Sequence, residues 1–281
     1  MNKSTRRMAL SLASACIVFF SLPSRADDSL EKAKKDGVTF GFSNDPPNAY
    51  LGVDGKPAGV SSEAIVAIFK RIGITDVRPV VTEWASLIPG LKAGRFDVAT
   101  FMFILPTRCQ EVAFADPIVK TDSAMLVKKG NPKNIHSYED VAKNPSVILA
   151  VMAGTAEQGY ARRGGVPDNR ILALQDPAAI LSSVLSGRAD AAALNPVSVK
   201  SMAGKGGGGV ERAEPFTTQS WAIAYSSFPF RKEDVSLREA FNNALKEFVG
   251  SDEQLKIFAK IERGPESLPG NVTADELCKP R

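Results

Sequence analysis

Apolar and polar positions alternate along this chain in two rhythms. Short apolar runs at 37–42 (GVTFGF), 77–82 (VRPVVT) and 96–101 read as strands. Between them, 60–72 (VSSEAIVAIFKRI) places apolar residues three and four apart and stops at Gly73, and 85–93 continues the pattern around Pro89. These stretches read as helices, because a helix returns the same face every 3.6 residues and a strand every two. The order resumes after Gly130 with a strand at 148–152, a helix at 156–163, a strand at 171–174, a helix at 176–185 and a strand at 189–194. Asp-Pro opens the 176–185 helix, and proline at a first helical position loses no intrahelical bond. The run 205–209 (KGGGG) lacks the pattern of a phosphate loop and is expected to be structureless. Residues 236–260 read as helical, ending near Gly264. Alternating strands and helices predict open α/β sheets.

One segment occurs twice. LKAGRFDVA at 91–99 and VLSGRADAA at 184–192 share apolar-x-x-Gly-Arg-x-Asp-x-Ala, a helix end, a glycine cap and a strand entry. Two lobes of similar build would produce this echo.

The N-terminus changes the charge picture. Lys3, Arg6 and Arg7 precede an apolar run at 8–22, and Ser24-Arg25-Ala26 offers small residues for cleavage. The run is short of the roughly 20 residues that a membrane span needs. A leader over 1–26, cleaved near Ala26, is therefore expected ahead of an uncleaved anchor or a lipidated Cys16. The chain carries 35 Lys and Arg against 31 Asp and Glu, and Lys3, Arg6, Arg7 and Arg25 fall in the leader, which holds no acid. The remainder is balanced, so charge gives no case for nucleic acid or an anionic membrane surface. Export leaves Cys109 and Cys278 as an even pair in an oxidising compartment. A disulfide is expected, with two free thiols as the alternative.

Catalytic signatures are sparse. The one histidine, His136, stands in NPKNIHSYED without metal-ligand spacing and reads as a lone surface residue. No GxSxG occurs, and neither a metal nor a cofactor is expected. Asp116, in FADP, reads as fixing a turn. FMFILPTRC at 101–109 sets Arg108 among apolar neighbours. A guanidinium there needs a partner, either a ligand anion or an acid of its own lobe.

Several segments carry a resemblance. GFSNDPPNAY (41–50), LIPGLKAGRFDVAT (87–100), 106–112, FADP and AGTAEQGYA (153–161) resemble the family 3 solute-binding proteins, the polar amino-acid receptors of ABC importers. VKKGNPKNIHSYEDVA (127–142), GVERAEPF (209–216), FRKED (230–234), FVGSDEQL (248–255) and LPGNVTADELC (268–278) look most like the ectoine/hydroxyectoine-binding branch. The resemblance implies an α/β, two-lobed periplasmic binding protein fold of type II, with two open mixed sheets flanked by helices and joined by two crossover strands. Lobe one would be 27–124 with 226–281, and lobe two 125–225. It further implies a periplasmic monomer that closes its hinge on a small zwitterionic solute and delivers it to an inner-membrane ABC permease.

The same resemblance assigns roles. Arg108 would hold the ligand carboxylate as a bidentate pair, aided by backbone N–H groups of Gly154, Thr155 and Ala156 at a helix N-terminus. Ala156 stands in place of a hydroxyl residue common in the family. Asp45 would face the ligand cation, with Trp84 and Phe103 as cleft aromatics; core packing is the alternative for both rings. Asn195 replaces the aspartate that usually binds an α-ammonium. Asn48 departs from the ectoine branch, which carries an aromatic there, and Phe101 either fills that gap or narrows the pocket. The rival functions are a periplasmic enzyme of the cyclohexadienyl or arogenate dehydratase type, with Asp45 as general acid or base, and a receptor for a polar amino acid. A sensory receptor would need a transmembrane or signalling segment after this one.

Overall fold

Two five-stranded sheets built to one plan organise the computed structural model, which describes residues 27–280. The leader expected over 1–26, with Cys16 and the cleavage point at Ala26, lies outside the described residues. The first sheet runs in the order Val77–Val81, Val38–Phe42, Val98–Ala99, Pro229–Phe230, Ala113–Phe114. The second runs Ile171–Leu174, Leu149–Met152, Ala191–Leu194, Ala124–Lys128, Val210–Arg212. In each, three parallel strands are followed by an antiparallel return and an edge. A third, antiparallel sheet of Met102–Phe103, Ala224–Ser227 and Val119–Thr121 lies where the chain passes from one large sheet to the other and back. The fold is thus the two-lobed, mixed α/β architecture of the type II periplasmic binding proteins.

Helices cover both faces of each sheet. The first core gathers Phe40, Phe42, Ile65, Phe69, Phe228, Phe230, Phe241 and Phe248. The second sheet buries Tyr138, Leu149 and Val151 on one face and Leu126, Ala150, Ile180 and Val184 on the other. Burying such side chains stabilises each lobe by about 1.5–3 kcal/mol apiece.

The echoed segments occupy equivalent places. Gly94 (φ 69°) and Gly187 (φ 80°) end their helices in the left-handed region. Asp97 then accepts from the Thr39 N–H at 2.8 Å, and Asp190 from the Ile148 N–H at 2.9 Å. Each aspartate ties the third strand in this order to its neighbour, the second, in its own sheet.

Most expected elements are present, with instructive differences. The strand expected at 96–101 shrinks to Val98–Ala99. Phe96 is fully buried, its ring resting against Gly41 and Gly90, and Met102–Phe103 joins the middle sheet instead. The helix expected at 85–93 is a 3-10 turn, Trp84–Ser86, leading into Leu87–Lys92. Pro89 sits in its first turn, where no intrahelical N–H is needed. A helix at Pro196–Lys205, capped by Asn195, was not anticipated. The glycine run after it is an ordered turn, in which Gly209 N–H donates to the Gly206 carbonyl at 2.9 Å. Residues 236–260 form two helices, Val235–Phe248 and Asp252–Ala259, parted at Gly250 and restarted by the Ser251 cap.

Cys109 and Cys278 are bonded, with Cα atoms 5.7 Å apart. The bond staples the C-terminal helix Ala274–Leu277 to Pro106–Cys109, beside Arg108. Asp116 reinforces this corner by accepting from the Ala274 N–H and the Asn242 amide. His136 is half-buried rather than a plain surface residue, because its ring bridges the Pro215 carbonyl and Asn134.

Candidate functional site

The carboxyl ends of the parallel strands in both large sheets point into one cleft, where strands give way to loops and helix starts. From the first sheet come Ser43 and Asp45 after Val38–Phe42, and Thr100 to Phe103 after Val98–Ala99. The Ser61 hydroxyl, on the helix Val60–Arg71, fixes that second segment by contacting the Thr100 hydroxyl and the Phe101 N–H. From the second sheet come Met152, Thr155, Ala156 and Glu157, then Ala193, Leu194 and Asn195. The cavity they enclose has an atom-free volume of about 880 Å³, counting its mouth.

Nine of the ten residues expected at the site line this cavity: Asp45, Asn48, Trp84, Phe101, Phe103, Arg108, Thr155, Ala156 and Asn195. Gly154 does not. Its φ of 77° turns its carbonyl toward lobe one, where it accepts from Arg108 Nη2 at 3.0 Å and from the Trp84 indole at 3.4 Å. Gly154 therefore supports the cleft wall with its carbonyl, and of the three N–H groups expected to meet a ligand, that of Thr155 is taken by the Met152 carbonyl at 3.2 Å.

Arg108 is 8% exposed. Its other terminal nitrogen donates to the Phe103 carbonyl at 2.9 Å, and its guanidinium stands 5.8 Å from the Trp84 ring centre. Among the described residues no carboxylate approaches it within ion-pairing distance, in its own lobe or the other. Burial lowers its pKa to about 10, opposed by Glu157 and Tyr160, so it stays charged at neutral pH. Carbonyls take two of its five N–H bonds and leave the rest for an anion.

Asp45 answers from the far side. Burial pushes its carboxyl up, against the pull of the Asn48 amide, the Ser198 hydroxyl and Lys205. The Asn48 amide donates to Asp45 at 2.8 Å and reaches Ser198 of the second lobe at 3.3 Å. Asn48 thus serves as Asp45's partner in the place of an aromatic wall. Phe101 leans on its own lobe's core, 5.9 Å from Phe228 and 6.5 Å from Phe258 between ring centres. Phe103 packs partly against the core of the second lobe, and Trp84 touches the cores of both. Asn195 caps the helix Pro196–Lys205, accepting from the Val197 and Ser198 N–H groups. Its amide also donates to the Ser198 hydroxyl at 3.0 Å.

Hydrogen bonds from Arg108, Trp84, Asn48 and Ser201 cross between the lobes, so the cleft is shut. Sequence reasoning missed Glu157, Arg263, Thr121 and Ser198, all of which line the cavity. Glu157 was signalled only by its place directly after the Gly-Thr-Ala turn. Arg263, held by Thr121 and the Lys120 carbonyl, lies beyond the last long helix in a loop without any pattern. Among the described residues no cluster of three or more His, Cys, Asp or Glu is placed to hold a metal ion.

Comparison with known proteins agrees with this arrangement. The model of the bacterial extracellular solute-binding proteins, family 3, matches residues 38–261. A probable amino-acid ABC transporter periplasmic-binding protein of Sinorhizobium fredii is 36% identical over 282 residues, spanning 95% of this chain and 92% of the relative. The crystal structure of EhuB in complex with hydroxyectoine is 32% identical with a TM-score of 0.83, covering 91% of this chain and 99% of that one. An ancestral amino-acid-binding protein, described as a precursor of cyclohexadienyl dehydratase, is 29% identical with a TM-score of 0.73, covering 84% of this chain and 100% of its own.

Proposed function

The chain belongs to the bacterial extracellular solute-binding proteins, family 3, the receptors of ABC amino-acid importers, and from that premise we propose that it captures an ectoine-like zwitterion. The carboxylate of the solute lies on Arg108, within reach of the Ala156 N–H. Its cationic end faces Asp45, between the rings of Trp84, Phe101 and Phe103. The lobes are 27–124 with 226–281, and 125–225, and they close on the solute as a hinge before an inner-membrane permease takes it. The leader is removed near Ala26, and the receptor works as a periplasmic monomer.

One observation carries this reading: a buried arginine without an ion pair shares a closed cavity with a buried acid and several aromatic faces. An anion repays the cost of burying Arg108, and a cation repays that of Asp45. Rings add about 0.5–2 kcal/mol for each desolvated cation contact. The solved hydroxyectoine complex is consistent with this class.

Calorimetric titration with ectoine, hydroxyectoine, glutamine and arginine tests the proposal. Tight binding of the ectoines is expected; tight binding of an ordinary amino acid alone would move the ligand to that class. The dehydratase reading draws on the cleft acids and on the ancestral relative. Incubation with arogenate or prephenate should leave the substrate intact, and release of an aromatic product would overturn the receptor role.

A further inference from the structure

Glu157 is a buried acid that the arrangement above leaves without a task. It is 6% exposed and lines the cavity from the second lobe, second in the helix Ala156–Arg163, while Asp45 lines it from the first. Its carboxyl lies against its own backbone N–H and the Thr155 side chain. The Thr155 hydroxyl already commits its single hydrogen to the Met152 carbonyl at 2.8 Å. Arg108, whose charge Glu157 feels, directs its terminal nitrogens to the carbonyls of Phe103 and Gly154. A carboxylate offers about four acceptor positions, so Glu157 keeps acceptor capacity toward the cavity. Burial pushes its pKa up, as expected of an acid shielded from water with few donors.

Resting on the ligand class proposed above, we infer that Glu157 is a specificity residue that accepts a hydrogen bond from a second donor on the solute. That donor, a hydroxyl or an amine, is distinct from the cationic group facing Asp45. The substrate class narrows to zwitterions with one carboxylate and two separated donor groups, one read by each lobe. A single acid would serve a solute with one donor. Two acids on opposite walls select for the second, because a buried acceptor left unmatched penalises the plain analogue.

Matched pairs that differ by one donor test this: ectoine with hydroxyectoine, and norvaline with ornithine. Each is titrated into wild type and Glu157→Gln, a substitution of nearly equal shape. Wild type should bind the donor-bearing member about tenfold or more tighter, the usual scale of a charge-assisted hydrogen bond. Glu157→Gln should erase that preference by weakening the donor-bearing member, with the plain member bound no more weakly than by wild type. Tighter binding of both members in Glu157→Gln would mark the acid as a charge that repels the ligand carboxylate, and would overturn the inference. An unchanged ratio with the ectoines bound would overturn it while leaving the ligand class standing. Silence of both ectoines, with a Glu157-dependent preference for ornithine, would sink the ligand class and keep Glu157's role. No binding in either pair would sink both. If Glu157→Gln fails to fold, the wild-type ratio decides, since equal affinity within both pairs rejects a second reader.

Discussion

The segments 91–99 and 184–192 end their helices alike, cap them with left-handed glycines and tie in their strands through the same aspartate. Beyond them the two lobes diverge. After Ala99 come Thr100, Phe101, Met102 and Phe103, then the arginine helix; after Ala192 come Ala193, Leu194 and the Asn195 cap. Lobe one thus presents bulk and a guanidinium, while lobe two presents small side chains and helix starts. The scaffold is repeated because strand order and helix termination obey the same constraints in both halves. On the proposed reading both charged anchors, Arg108 and Asp45, belong to lobe one, and lobe two closes over them.

The largest effect should come from removing lobe one's charged anchor. Arg108→Ala is expected to weaken carboxylate binding by about 2–5 kcal/mol, the cost of deleting one partner of a buried charged pair. Calorimetry on the folded variant measures it; near-native affinity would return Arg108 to a structural role, as a donor to Phe103 and Gly154.

A second contrast is the staple, which lobe one has and lobe two lacks. Replacing Cys109 and Cys278 together by serine should cost about 2–5 kcal/mol of stability. Hydrogen exchange should show early opening at 106–109 and 274–277, ahead of the strands Leu149–Met152 and Ala191–Leu194. Equal loss of protection in both lobes would show that they unfold as one unit.

Asn48→Phe tests whether the cleft lacks an aromatic wall. The Asn48 amide donates to Asp45, so the substitution should weaken binding by about 1–3 kcal/mol as a buried carboxylate loses its donor. A gain in affinity for ectoine would mean that the ring supplies a cation contact worth more than the amide.

The smallest effect should be the most symmetric. Gly94→Ala and Gly187→Ala place a Cβ at positive φ in equivalent turns, each costing about 1–2 kcal/mol of stability. Gly94 has open space around it, and Gly187 meets only the movable end of Lys128. Chemical denaturation should therefore show similar losses, with ligand affinity unchanged. Strongly unequal losses would show that the two turns are not equivalent.

This asymmetry explains what the sequence disclosed. The helices at 60–71, 156–163 and 177–186 were legible because each buries one face in regular register, and the strands at 38–42 and 171–174 because they are short apolar runs. The two-residue strands Val98–Ala99 and Met102–Phe103 were not, since one apolar run serves two sheets and the split depends on where Phe96 packs. In the site, Arg108 and the rings stood out as a charge and bulky groups in an apolar run. Glu157 and Arg263 look like ordinary surface charges in sequence, yet both line the cavity and burial shifts the pKa of each.

The central claim is that Arg108 receives the solute's carboxylate inside the closed cleft. Calorimetry of the ligand-stripped protein with hydroxyectoine and its methyl ester tests this most directly, with any other zwitterion that binds and its ester serving equally. The ester keeps the cation, the donors and nearly the same shape, and loses only the negative charge. The account predicts that the ester binds about a hundredfold more weakly or worse, and that Arg108→Ala removes the difference. Equal affinity for acid and ester in the wild-type protein would contradict it.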